Sequence, residues 1–429
     1  MEGKNNLKGM IPHMQEKKNL SRILTSRYAF VQSSYWMAFC AVYNFATVYL
    51  LANSFSPKEV GIILATTNIF AAILQPVVAG YADRTVKITL KNLISIIVVV
   101  ILSFAVLLMI APKTMYVVGV LFLVISTLMI TIQPLINSLG MEYLGKGIQV
   151  NFGMARGMGS LFYALTSLLL GNLVEKEGTG ILPFSYIVIF ALLLVFTFRF
   201  KLHRTKVESL SVKDVAFSPQ MEKTDNVRVI AEDILPARMS DYFLKYRKYS
   251  IYLIGLVFLF TCFNMINVYM IKIVENVGGD KAIMGNAFAL AAVLELPVMF
   301  FFSRLLGKWR NSTLLKISII ILTLKSIATL LATSIGMVYF AQSFQMLSYA
   351  IFIPSSIYYV NQVMDKEDRI KGQAFVAVTM TLGGVFGSLF GGWLLGMTSV
   401  YNMLLSATVL SIIGTFLAFF SIENMPNID

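Results

Sequence analysis

The sequence predicts an all-α polytopic membrane protein, with twelve transmembrane helices in two six-helix bundles related by a pseudo-twofold axis. Composition is the first reason. Hydrophobic residues make up 57% of the 429-residue chain and charged residues 13%, with a mean hydropathy of +0.75, whereas soluble domains keep about a quarter of their residues charged. The second is grouping: the apolar residues gather into runs of about 20, the length a helix needs to cross the hydrocarbon core. These runs are continuous instead of alternating in polarity, so they do not read as barrel strands. The third is the distribution of basic residues between alternate loops, described below.

In chain order the spans are expected at 29–52, 58–80, 92–111, 114–139, 150–173, 181–199, 249–271, 282–303, 313–333, 336–360, 372–396 and 399–421. The first begins near Tyr28, after a polar stretch, and no small-residue cleavage site follows its apolar run. That pattern predicts a retained helix, not a removed signal peptide. Residues 1–28 then form an N-terminal tail, 29–200 the first bundle, 201–247 a linker, 248–421 the second bundle and 422–429 a C-terminal tail. The linker mixes both signs of charge without sustained apolar periodicity and has room for one short surface helix. Cys40 and Cys262 both fall inside apolar spans and read as small buried hydrophobes.

A formal charge of +13 invites a nucleic-acid reading, but its placement excludes one. With both termini and the even-numbered loops on one side, that side holds 28 Lys and Arg; the other holds Lys58, Lys113, Lys176, Lys272 and Lys281. The positive-inside rule therefore puts both termini in the cytoplasm of a cell-membrane protein, with its basic face toward anionic lipid heads.

The halves resemble each other. "AAILQPVVAGYADR" in span two parallels "AAVLELPVMFFFSR" in span eight, with Pro76 and Pro297 one position apart. "GIQVNFGMARGMGSLF" entering span five parallels "GQAFVAVTMTLGGVFG" entering span eleven. A duplicated six-span unit is the plan of a transporter whose halves rock about a midplane site.

Three charges sit well inside the spans: Arg156, Glu295 and Lys325. A charge at membrane depth is costly and by default marks a solute or ion path. Glu295 and Lys325, near the middle of spans eight and nine, are expected to face a polar cavity, pair in at least one conformation and take part in proton coupling or substrate binding. The competing reading is a structural pair holding the second bundle together. Arg156 offers a rigid five-donor fork suited to hydroxyls, carboxylate or phosphate, or else snorkels to the headgroups. Asn137, Gln133, Gln345 and Asn264 are expected to add hydrogen-bonding groups, and Tyr35, Trp36, Tyr43, Tyr163, Tyr349 and Trp393 are candidate stacking surfaces. Asp83 and Arg84, at the end of span two, suit a latch that shuts the cytoplasmic face in one state.

No phosphate-binding GxxxxGK[ST], HExxH or His/Cys cluster occurs, and His13 and His203 lie outside the spans. Neither an enzyme nor a cofactor is expected.

With these residues in place, the chain resembles the major facilitator superfamily over essentially its whole length. The branch it looks most like contains the lactose permease, other oligosaccharide/proton symporters and the nucleoside/proton symporters. Gln75-Pro76 followed by Asp83-Arg84 looks like the superfamily's loop 2–3 signature, with Ala79 and Val86 where the pattern has glycine. "NFGMARGMGSLFYAL" resembles the segment bearing the permease's sugar-binding arginine, which implies that role for Arg156. In "LLKISIIILTLKSIATL", Lys325 falls at the position of a functional arginine. Asn137 stands in place of a span-four carboxylate, Gln345 and Ser348 in place of a span-ten histidine and glutamate, and Glu295 about one turn beyond that family's glutamate. The resemblance implies a secondary active transporter moving a small hydrophilic solute, a sugar, oligosaccharide or nucleoside, by proton symport and alternating access as a monomer. A drug or metabolite exporter is the alternative on the same scaffold, and a non-transporting membrane sensor the alternative from another class.

Overall fold

The computed structural model describes residues 2–84, 88–141, 150–200 and 239–424. Among them there is no strand, and each of the twelve expected spans is helical. They are α1 (Glu2–Phe39, then a π-helical turn Cys40–Asn44 and Ala46–Ala52), α2 (Pro57–Arg84), α3 (Leu90–Ile110), α4 (Met115–Thr131 and Gln133–Met141), α5 (Phe152–Glu177) and α6 (Ile181–Arg199). The second half has α7 (Arg247–Val268 and Met270–Asn276), α8 (Lys281–Leu306), α9 (Asn311–Leu330), α10 (Ile335–Ser343, the 3₁₀ turn Phe344–Met346 and Tyr349–Val363), α11 (Arg369–Met397) and α12 (Val400–Ser421). Ten spans are long and apolar enough to cross a membrane, and the first passes the same test as a pair bent by 42°; α10, in three pieces, is not among them.

Local chemistry sets several helix starts. Ser56 and Glu59 bond reciprocally ahead of α2, whose first residue is Pro57. Thr89, Asn151, Ser334 and Ser399 cap α3, α5, α10 and α12 by accepting from backbone N–H groups three residues on. The helix surfaces divide as a bilayer requires. Val99, Val106 and Ile110 of α3 and Phe416 and Phe420 of α12 are exposed, while the core is aromatic and aliphatic, with Tyr49, Phe122, Tyr186 and Phe190 fully buried. The expected polar tail of 1–28 is a helical extension of span one, continuous from Glu2 to Phe39. The short helix expected in the linker lies at its end, Met239–Lys245; the rest of the linker lies outside the described residues.

Interruptions fall in α1, α4, α7 and α10, and the sequence reading expected none of them. In α4, Pro134 has no N–H to offer the carbonyl of Ile130. Gln75 of α2 supplies the missing donor, its Nε2 lying 3.0 Å from that oxygen. In α7, the Thr47 hydroxyl of α1 donates to the carbonyl of Val268, next to the break, at 2.5 Å. A broken helix at membrane depth persists only where such donors exist.

The halves meet through α5 against α8 and α2 against α11. Close approach needs glycine here: a Cβ on Gly171 would lie 3.0 Å from the Gly285 Cα, and one on Gly392 would collide with the carbonyl of Pro57. Tyr269 Oη donates to the carbonyls of Ser388 and Pro57 at 2.7 and 3.4 Å, Ser167 Oγ to Gly285 O at 2.8 Å, and Lys281 Nζ pairs with Glu175 at 3.0 Å. All described hydrogen bonds and ion pairs between the halves lie at this end, opposite the termini. Toward the other end nothing lies within 4 Å of a Cβ built on Gly80. The bonds between the halves thus gather at one end, while toward the other α5 still meets α8, where a Cβ on Gly157 would lie 3.2 Å from the Phe300 ring.

Candidate functional site: a polar cavity between the halves

A cavity of about 520 Å³ opens between the halves, lined by residues of every helix except α3, α6 and α12. It gathers Arg156, Asn137, Gln133, Glu295, Lys325, Gln345 and Asn264, seven of the residues singled out in the sequence. The side chains of Asp83 and Arg84, expected as a latch, lie outside the described residues.

The N-terminal wall is organised around a guanidinium. Arg156, just inside α5, lies over Trp36 of α1, its Cζ 3.7 Å from the ring centroid, and donates to Ser160 at 3.1 Å. It therefore faces the cavity, and stacking of this kind on an indole is among the stronger cation–π arrangements. Gln32, one turn before Trp36 and 1% exposed, fixes that ring by accepting from its Nε1 at 3.1 Å. The Gln32 amide in turn donates to Asn137 Oδ1 at 3.1 Å and to the Tyr28 hydroxyl at 2.6 Å. Sequence reading missed Gln32, although its four-residue spacing from Trp36 places both on one helix face. Higher up, Asn44 donates to Tyr163 Oη and Asn68 to Tyr43 Oη.

The C-terminal wall is organised around an amide. Glu295 and Lys325 were expected to pair in at least one conformation; in this one Gln345 stands between them. Lys325 Nζ donates to Gln345 Oε1 at 2.7 Å, and Gln345 Nε2 donates to Glu295 Oε1 at 2.8 Å. The amide dipole is oriented by the two charges, and each charge obtains a short, charge-assisted bond. Lys325 is 2% exposed and also sits 5.4 Å from the centroid of Phe263, whose ring is stacked on Tyr349 at 5.2 Å. These contacts offset the desolvation that an isolated ammonium would suffer at this depth. The 3₁₀ turn in α10 carries Gln345 into position. Of the proposed stacking residues, Trp36, Tyr43, Tyr163 and Tyr349 line the cavity, whereas Tyr35 is buried in the core and Trp393 is exposed on the outer face.

Two cations and one carboxylate thus converge with amides and aromatic faces in a space closed at one end. No group of His, Cys, Asp and Glu among the described residues is arranged to hold a metal. The model of the MFS_1 like family matches residues 26–405. The chain belongs to that family. It is a membrane transporter of the major facilitator type and not an enzyme. A maltose permease of Geobacillus stearothermophilus is 24% identical over 383 residues, covering 88% of this chain and 90% of the permease. Among solved structures, the nucleoside transporter NupG matches with a TM-score of 0.71 at 14% identity, covering 93% of this chain and 98% of that one. A POT family transporter in complex with a thioalcohol conjugated peptide matches at 0.68 and 12% identity, with 93% and 96% covered. Similarities at this level establish the shared fold.

Proposed function

We propose that this transporter imports a small hydrophilic solute, a sugar or oligosaccharide or else a nucleoside, with a proton, by alternating access across the cell membrane. The observation that carries the reading is the cavity itself, in which a carboxylate and an ammonium share one amide opposite an arginine on an indole. Its volume of about 520 Å³ is within the range of small-solute sites. Hydroxyl-rich solutes match the amide and guanidinium donors, and sugar rings or bases match the aromatic faces. The maltose permease likeness supports the sugar class and the NupG fold likeness the nucleoside class.

Both termini are assigned to the cytoplasm by the bias of basic residues. The end where the hydrogen bonds between the halves gather then faces the outside. A cysteine at Lys176 should react with impermeant reagents in intact cells and one at Lys245 should not; the reverse pattern would invert the orientation. The two-bundle division at 201–247 belongs to the same reading, with the α5–α8 and α2–α11 contacts as the pivots of the motion.

The function is tested by counterflow of labelled maltose and uridine in proteoliposomes, together with solute-induced proton uptake. Transport of either solute with proton uptake supports the proposal. Transport without proton movement removes the coupling, and efflux of apolar aromatic compounds with neither solute carried would favour the exporter.

A further inference from the structure

The hydrogen bonds of the N-terminal wall form one chain whose direction is fixed by chemistry at both ends. At one end is the Trp36 indole, whose Nε1–H can only donate, so the Gln32 atom 3.1 Å away is the carbonyl oxygen. At the other is the backbone carbonyl of Ile136, which can only accept. Tyr28 Oη donates to it at 3.2 Å and therefore takes a hydrogen from Gln32 Nε2 at 2.6 Å. Both ends demand the same orientation of the Gln32 amide. Its other N–H meets Asn137 at 3.1 Å, so the Asn137 atom turned toward Gln32 is Oδ1. That leaves the Asn137 amino group, which has no partner among the described residues, on an exposed side chain at the cavity wall. Gln75, Asn68 and Asn264 of the same cavity are held the other way round, each giving its amino group to a backbone carbonyl.

We propose, on the reading of this cavity as the solute site, that Gln32 is a positioning residue: by holding the Asn137 carbonyl it turns the Asn137 amino group into the cavity, where that group donates to a hydroxyl oxygen of the solute. Arg156 lies over the same Trp36 ring that Gln32 holds, and a guanidinium also offers hydrogens only. These two groups ask the solute for acceptor oxygens, whereas the Glu295 carboxylate on the opposite wall asks for hydrogens. A hydroxyl-bearing ring meets both demands, accepting on one side and donating on the other. A protonated amine in place of the hydroxyl at Asn137 would set N–H against N–H. Gln32 itself is buried, so its influence on solute passes through Asn137 and Trp36.

The test uses the full chain in mild detergent and has a solute-free arm and a solute arm. In the first, exchange of side-chain amide hydrogens with water is followed by NMR on protein with isotopically labelled asparagine and glutamine. The Gln32 amino group should exchange slowly and that of Asn137 fast; the opposite order would overturn the polarity. In the second, affinity is measured for whichever of maltose and uridine is carried, and for analogues in which one hydroxyl is replaced by hydrogen or by fluorine, which can accept weakly but cannot donate. At one hydroxyl, fluorine should cost wild type about threefold or less and hydrogen about tenfold, as expected for one lost hydrogen bond. Asn137→Asp keeps the acceptor for Gln32 but puts an oxygen in place of the amino group, and should reverse that order. Gln32→Met, of similar size, frees Asn137 to turn and should erase most of the gap; if it fails to fold, the Asn137→Asp reversal and the exchange order decide. A purely structural Gln32 would lower the melting temperature in Gln32→Met and leave the gap at its wild-type size, which would overturn the positioning role, as would the lack of a gap at every hydroxyl. Carriage of neither solute would remove the proposed function, and the exchange order would still decide the polarity.

Discussion

The walls of the central cavity are built on one repeated frame but carry different chemistry. Where "AAILQ" ends in Gln75, "AAVLE" ends in Glu295, and both residues line the cavity. Gln75 spends its amide on a backbone carbonyl of α4 that a proline leaves without a donor, whereas Glu295 accepts from the Gln345 side chain of α10. In the matching segments of α5 and α11, Arg156 is opposite Thr381 in the alignment, and both again line the cavity. The frame places polar groups at equivalent stations, and the side chains differentiate them. Under the proposed function, the first wall grips solute and the second exchanges protons. A cation held on an indole keeps its charge throughout a cycle, while an acid linked to a base has protonation states to change.

The sharpest way to break this comparison is Glu295→Gln. It should abolish uphill accumulation driven by a proton gradient, leaving counterflow exchange in place, since the remaining amide still bonds Gln345. Full gradient-driven accumulation by that variant would remove Glu295 from coupling.

Next in size is the first wall. Arg156→Lys keeps the charge but loses the planar fork and its stacking on Trp36, and should weaken solute binding by roughly 1–3 kcal/mol in titration of the purified protein. Unchanged affinity in Arg156→Ala would remove Arg156 from solute binding.

A smaller effect sharpens the role of the shared amide. Lys325→Ala should destabilise the protein more than the double Glu295→Ala/Lys325→Ala, because the single variant leaves a carboxylate without its cation. The coupling in that cycle, about 0.5–3 kcal/mol for a connected pair, should shrink when the cycle is repeated in Gln345→Leu. Coupling that survives intact would mean that the charges interact without the amide.

The smallest effect lies outside the cavity. Lys245 bonds Asp365 and Asp368 at 2.8 and 3.0 Å on the exposed face of the second half. Hydrogen bonding to Lys245 holds both carboxyls below their ordinary range, and the same carboxylates push the lysine up. The depressed acids lose their contribution only as pH falls through their folded values, and the raised lysine loses its own only as pH rises through its folded value. The difference in melting temperature between wild type and Lys245→Ala should therefore be small and flat from about pH 5 to 9.

Much of this was legible in the sequence. Twelve apolar runs gave twelve helical spans, and Arg156, Glu295 and Lys325 announced the cavity because charge at that depth needs a polar surrounding. Gln345 was visible as a polar residue, but its place between two charges was not, since that depends on the turn at 344–346 and on three helices meeting. Gln32 stayed hidden because a neutral amide in an apolar run carries no signal until its partners are known. Hydropathy averages over a window, so the interruptions in α1, α4, α7 and α10 left no trace in it.

Those interruptions have a mechanical consequence. An unbroken helix is a stiff rod, and clamping one end dictates where the other end swings. A rod with a joint at mid-depth loses that leverage, so its two arms answer to different loads. In this molecule the jointed rods border the cavity, and the continuous pair α2 and α11 forms one of the clamps. Opening need not be a rigid see-saw of two blocks: the inner arms can fold while the outer arms stay docked. Spin labels across the joint of α1 should change their separation between the two states of the cycle, while labels spaced equally along α2 should not.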